Sequence, residues 1–187
     1  ANFIRLAKLN VEAIRDAGIE TVITACPECY KTIRFDYENH GIELGFNVIH
    51  LYEFLETEID KGAVEFNHLN KKISFQDSCR LKRMESVRNF QRKLIQRLSV
   101  EKFEEMKDSD RSALCCGNCA WTGCDAFSKA LQVKRLRQAH ATGSDLMVTS
   151  CPKCQIHLSC AMQDAMLGDE LKMDMIDLTS VIANTIC

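Results

Sequence analysis

The sequence predicts an α/β fold of two related units in tandem, each a mostly parallel sheet flanked by helices. Three observations carry the prediction. Amphipathic stretches alternate with short apolar runs of strand length. A segment of the first half recurs in the second at an offset of 125 residues. Both prolines of the chain, Pro27 and Pro152, fall in equivalent slots of that repeat.

The elements follow in order. Phe3, Ile4, Leu6, Ala7, Val11 and Ile14 fall on a broad helical face, and Gly18 stops that helix. Thr21 to Thr24 reads as a short buried strand. Cys26-Pro27-Glu28-Cys29 opens a second helix through about Tyr37, since proline suits the first helical position. Phe46 to Leu51 is a strand candidate and Tyr52 to Ile59 a helix. Lys72 to Gln76 is a third strand, ending at Asp77-Ser78-Cys79. In the second half a helix is expected from about Asp125 to His140, stopped by Gly143. Leu146 to Thr149 is the strand, Cys151-Pro152-Lys153-Cys154 opens the next helix, and Met173 to Leu178 leads into a last strand and helix.

The repeat aligns Gly18 with Gly143, Thr24 with Thr149, and Cys26/Pro27/Cys29 with Cys151/Pro152/Cys154. VIHL (48–51) matches MIDL (175–178) with a further shift of two. A counterpart of Cys115-Cys116-Gly117 would fall upstream of residue 1. The expectation is therefore that 1–70 is the C-terminal part of a first repeat, truncated at its N-terminus, and 71–187 a complete second one.

Composition bounds the function. Of 187 residues, 46% are apolar and 27% charged, with net charge −2. No strongly basic domain field exists, which argues against nucleic-acid binding. No apolar run reaches the roughly 18 residues of a membrane span. Eleven cysteines is a high, odd count, so complete internal pairing is excluded. A chain of this length can bury a real core without staples. The expected state is reduced thiols in the cytoplasm, used for metal or redox chemistry.

Five cysteines follow the pattern C-x35-C-C-G-x33-C-P-x-C: Cys79, Cys115, Cys116, Cys151 and Cys154. Thiolates suit iron–sulfur clusters and zinc. Adjacent cysteines diverge only at a sharp bend, which Gly117 permits. In C-P-x-C the first cysteine can cap a helix, where free amides and the dipole lower a thiol's pKa and stabilise a negative cluster. Delivery from strand ends would place the site at the carboxyl edge of a parallel sheet. A four-thiolate zinc site or a thioredoxin-like exchange pair are the competing readings; the consecutive cysteines fit both poorly.

Asp77-x-Cys79-Arg80, Ala113-Leu114-Cys115-Cys116-Gly117 and Val148-Thr149-Ser150-Cys151-Pro152-x-Cys154 together resemble the CCG domain, the cysteine-rich module of heterodisulfide reductase and its relatives. ITACPECY (23–30) resembles the corresponding end of that family's first repeat. The resemblance implies tandem CCG-type units and a non-cubane [4Fe-4S] cluster on Cys79, Cys115, Cys116, Cys151 and Cys154. Cys26 and Cys29 would belong to the first repeat's site, holding a second cluster or zinc. It further implies an oxidoreductase that reduces a disulfide or thiol substrate, with electrons from iron–sulfur or flavin subunits. The alternative is a non-catalytic electron-transfer subunit of a flavin-linked dehydrogenase complex of the lactate, glycolate or glycerol-3-phosphate type. Partner subunits are implied either way, with membrane association only through them.

The chain departs from common members after the CCG triplet, where it carries Asn118-Cys119-Ala120-Trp121-Thr122-Gly123-Cys124. Cys119 and Cys124 read as packing residues, extra ligands or resolving thiols, and Trp121 as a shield or a substrate wall. His50 and His157 read as structural histidines or proton donors. Cys160 and Cys154, six residues apart, do not share a helix face. The basic stretch 80–93 reads as a solvated face or as a steering field for an anion.

Overall fold

Among the described residues, the strands of the computed structural model pair in parallel, in two separate sheets. The structure describes residues 2–62, 64–117, 125–167 and 169–187. They form two units, Ala1–Gly62 and Ala63–Cys187.

The first unit begins with α1 (Asn2–Asp16), whose Ala7 and Val11 are buried. Gly18 ends it at φ 68°, a conformation that glycine adopts without steric cost. β1 (Thr21–Thr24) leads into α2 (Pro27–Lys31), which runs on through a π-helical turn, Thr32–Asp36, to the short α3 (Tyr37–Asn39). The helix thus outlasts the expected end near Tyr37. Lys31 and Asp36, five residues apart, form an ion pair that suits π spacing. β2 (Asn47–His50) pairs with β1, Thr24 opposite His50, and α4 (Leu51–Asp60) follows.

The second unit holds β3 (Leu69–Gln76), α5 (Cys79–Lys82), α6 (Phe90–Arg97), β4 (Val100–Glu104), α7 (Ala126–His140), β5 (Leu146–Thr149), α8 (Pro152–Met162), β6 (Asp174–Asp177) and α9 (Leu178–Thr185). β4 and α6 have no counterpart in the sequence-based expectation. The sheet order is β4-β3-β5-β6. From β3 the chain steps outward to β4, then crosses back over β3 to place β5 on its other side. That reversal makes a topological switch point between the carboxyl ends of β3 and β5, where open α/β sheets bind ligands.

β5 is buried along its whole length, and β3 over its last four residues, as expected of central strands covered on both faces. Met147, Leu158, Leu136, Ala139 and Leu171 form the core on one side. Cys116, Cys151 and Cys154 belong to that same core, so the thiols sit at its apolar border.

The two units share a local design. β5 pairs with β6 as β1 does with β2, Thr149 lying opposite Asp177. Gly143 ends α7 at φ 68°, matching Gly18. His50 and Asp177 each cap the next helix through a side-chain atom, accepting from Tyr52 N and Thr179 N.

Candidate metal centre

Two neighbouring strands deliver the first thiols. Gln76 pairs with Thr149 at the ends of β3 and β5, and Cys79 and Cys151 follow within three residues. Cys151 is the N-cap of α8, with Pro152 in the first turn, and Cys154 is buried one turn on. Cys115 and Cys116 arrive on the segment between β4 and α7. Gly117 holds that segment tight against α7. Its φ is 87°, and a Cβ there would stand 2.5 Å from the Ser128 carbonyl oxygen. Asp125 caps α7 by accepting from Ser128 N at 2.7 Å. His157 Nδ1 meets the Cys116 carbonyl at 3.0 Å, and the His157 carbonyl accepts from Gln132 Nε2 at 3.0 Å. His157 therefore ties α8 to the cysteine pair.

The five thiols form two hydrogen-bonded sets, and the charge of Cys116 is felt at Cys79. Cys79 is hydrogen-bonded to Cys115, and Cys154 to both Cys116 and Cys151. Cys151 is held down to about 6, by the Cys154 thiol first and then by the amides of Cys154 and Lys153 and the Ser78 side chain, against an opposing burial effect. Cys154 is pushed well up by Cys116, Cys151 and burial. Cys79 is also pushed up, by Cys115 first, then by burial and by the nearby Cys115 and Cys116 charges. Ionising the whole set without a cation is therefore unfavourable, and a bound metal would relieve it.

Among the described residues, no three Cys, His, Asp or Glu side chains are grouped as a cage for one metal ion. The donor chemistry is nonetheless all sulfur, with Cys116, Cys151 and Cys154 in the apolar core and Cys79 and Cys115 half-buried beside it. That fits a polynuclear iron–sulfur group, whose several irons take thiolates from different sides.

A polar frame fixes the strand ends. Asp77, fully buried, receives Arg92 in a fork at 2.6 and 3.0 Å and the Asp110 amide at 2.9 Å. Arg92 also bonds Glu105 at 2.7 and 3.0 Å. The fork geometry makes this a strong, directional pair. Arg135 is fully buried and bonds Gln76 Oε1, Gln138 Oε1 at 2.8 Å and the Lys107 carbonyl at 3.0 Å. Sequence reasoning missed Arg135 as a frame residue. Its position on α7 gave no warning, because a long cationic side chain is normally exposed. Arg92, read as part of a solvated or steering stretch, is instead committed to Asp77.

A cavity of about 320 Å³ is lined by Cys79 together with basic side chains from 82 to 111. A larger groove along α7, from Ala126 to Thr142, is lined by none of the cysteines.

In the first unit, Cys26 caps α2 and is half-buried, while Cys29 is exposed. The Cys26 amide donates to Thr24 Oγ1 at 3.2 Å. His50 is fully buried at the end of β2, and burial lowers its pKa to about 4. Cys26 and Cys29 thus belong to the first unit, and the five clustered thiols to the second. Cys160 and Cys187 are exposed. Cys119, Cys124 and Trp121 lie outside the described residues.

The chain is similar to known proteins along most of its length. The cysteine-rich (CCG) domain profile matches residues 1–34 and 73–159. The chain is 32% identical over 179 residues to the D subunit of dihydromethanophenazine:CoB–CoM heterodisulfide reductase from Methanosarcina barkeri, covering 94% of this chain and 44% of the relative. It is 29% identical over 163 residues to the B subunit of the fumarate reductase (CoM/CoB) of Methanothermobacter marburgensis, covering 86% and 32%. It is 25% identical over 183 residues to EtfAB:quinone oxidoreductase of Syntrophomonas wolfei, covering 90% and 24%. The chain thus spans less than half the length of these curated relatives. With its CCG triplet, its two C-P-x-C turns and the profile match over most of its length, the chain belongs to the CCG cysteine-rich domain family.

Proposed function

We propose that this chain is part of an iron–sulfur oxidoreductase that reduces a disulfide or related thiol substrate with electrons from partner subunits. The observation that carries the reading is the meeting of five thiols, from three separate segments, at the switch point between β3 and β5. In this reading Cys79, Cys115, Cys116, Cys151 and Cys154 hold a non-cubane [4Fe-4S] cluster. When bound, the cluster supplies single electrons and an iron able to take a substrate sulfur. The net reaction takes one disulfide, two electrons and two protons to two thiols.

The chain's own residues supply position and field. The α8 amides beside Cys151 and the buried Arg135 favour negative charge at the site. Met147, Leu158 and Leu136 pack with Cys116, Cys151 and Cys154 and keep water from those three thiols. Asp77 and Arg92 fix the backbone that leads to Cys79. The solvent-open cavity on Cys79 favours catalysis over electron transfer alone, because a relay centre needs no space for substrate. Partners of this chain are electron-donating iron–sulfur or flavin subunits in a cytoplasmic complex. In the first unit Cys26 and Cys29 are the only cysteines. They hold a second cluster or zinc only with donors of another kind or from another segment.

Anaerobic reconstitution with iron and sulfide, followed by EPR with and without an added disulfide or thiol, tests the reading. The oxidised signal is expected to change on thiol addition. A signal indifferent to both additions would refute substrate chemistry at the cluster.

A further inference from the structure

Cys79 forms one wall of the 320 Å³ cavity, and Lys82, Arg83, Arg88 and Arg111 form much of the rest. Two carboxylates, Glu85 and Asp110, also line it, and both are already matched. Asp110 takes Lys82 at 2.5 Å; Glu85 lies between Arg88 at 3.0 Å and Arg111 at 3.5 Å. Lys82 itself is almost fully buried and also faces Asp77 at 3.5 Å. Arg83 has no carboxylate partner among the described residues, and its charge acts on the Cys79 sulfur. The cavity therefore carries unbalanced positive charge at the mouth of the thiol site. Its volume is at the lower end for small-molecule pockets. Guanidinium groups match planar or tetrahedral oxyanions through paired N–H donors.

We propose that this cavity is an oxyanion subsite, which binds a carboxylate, sulfonate or phosphate group through Arg83 and Arg111 and so holds a small molecule against Cys79. The proposal rests on the redox reading only for what the rest of that molecule does. The oxyanion is either carried by a thiol or disulfide substrate or is a free inorganic anion. Arg83 and Arg111 are both exposed, so solvent screens them and the subsite is an anchor of modest strength.

The test uses the full chain, cluster-loaded and anaerobic, with calorimetry and EPR as separate readouts. The probes are 3-mercaptopropionate, its uncharged methyl ester, and inorganic phosphate. The double variant Arg83→Gln/Arg111→Gln is expected to weaken mercaptopropionate roughly tenfold, the scale of one lost charge-assisted hydrogen bond, and to leave the ester unchanged. Arg137→Gln, the loss of a single charge on the exposed face of α7, is expected to change nothing. Weakening of phosphate but not of mercaptopropionate supports the subsite and assigns it to a free anion. Equal affinity of the double variant and the parent for both anions overturns the proposal, as does an equal effect of Arg137→Gln. If phosphate binding depends on Arg83 while no thiol alters the EPR signal, the redox reading fails and the subsite stands. If thiols alter the signal equally in parent and double variant, with unchanged affinity, the subsite fails and the redox reading stands.

Discussion

Gly117→Ala tests whether the CCG turn really rests on α7. Two penalties add at this position. A residue with a Cβ held at φ 87° pays roughly 1–2 kcal/mol for the left-handed backbone. The new methyl would also stand 2.5 Å from the Ser128 carbonyl oxygen and 3.2 Å from its carbon, both backbone atoms that cannot rotate away. Overpacking of this kind adds about 1–3 kcal/mol. The expected loss is therefore roughly 2–5 kcal/mol. Gly143→Ala is the control: its φ is 68°, but nothing lies within 4 Å of its Cβ position, so only the backbone penalty applies. Urea unfolding of the reduced, metal-free chain should place Gly117→Ala below Gly143→Ala by about 1–3 kcal/mol. Iron uptake should fall with it, because the methyl must displace either Cys116 or the start of α7. Equal losses in the two variants would refute the close approach and the argument for a glycine in the motif.

Three further outcomes are expected. Cys115→Ala and Cys116→Ala should each lower iron and sulfide content after reconstitution, whereas Cys160→Ala and Cys187→Ala should not; retained iron in the first pair would end the ligand assignment. Asp77→Asn should cost about 1–3 kcal/mol in urea unfolding, because it removes the buried carboxylate that Arg92 and Lys82 face while Glu105 stays on Arg92; a loss below about 1 kcal/mol would make the fork irrelevant to stability. His50 binds its proton less readily folded (about 4) than unfolded (6.5), so its stabilisation is full above 6.5 and drains away as pH falls towards 4. At pH 5 the expected loss is about 2 kcal/mol, and His50→Gln should flatten that part of the stability curve.

Local patterns carried most of the fold into the sequence. Thr21 to Thr24 and Leu146 to Thr149 emerge with the expected bounds, because apolar runs between Gly and Cys-Pro admit few alternatives. β4 escaped because Val-Glu-Lys-Phe-Glu is an edge strand with one side towards solvent, and its charges resemble a loop. The cysteine spacing pointed to the five thiols, but not to their position at a reversal of strand order. That position depends on which strands pair, and pairing across long separations leaves no local trace. The same holds for the frame. Asp77 and Arg92, or Gln76 and Arg135, are ordinary polar letters until the sheet buries them together.

The strand order also sets a schedule for the chain. Ile73 pairs with Leu146, so β3 waits for β5 before the central pair can close. Non-local parallel pairing of this kind is slow. Cys79 and the Cys115-Cys116 pair therefore spend synthesis apart from Cys151 and Cys154, with no assembled pocket to trap a stray metal ion. The centre comes into being only once the sheet is complete. With the proposed ligands, loading with metal is expected to be a late event that reports on successful folding, and a chain that stalls before β5 docks should stay empty.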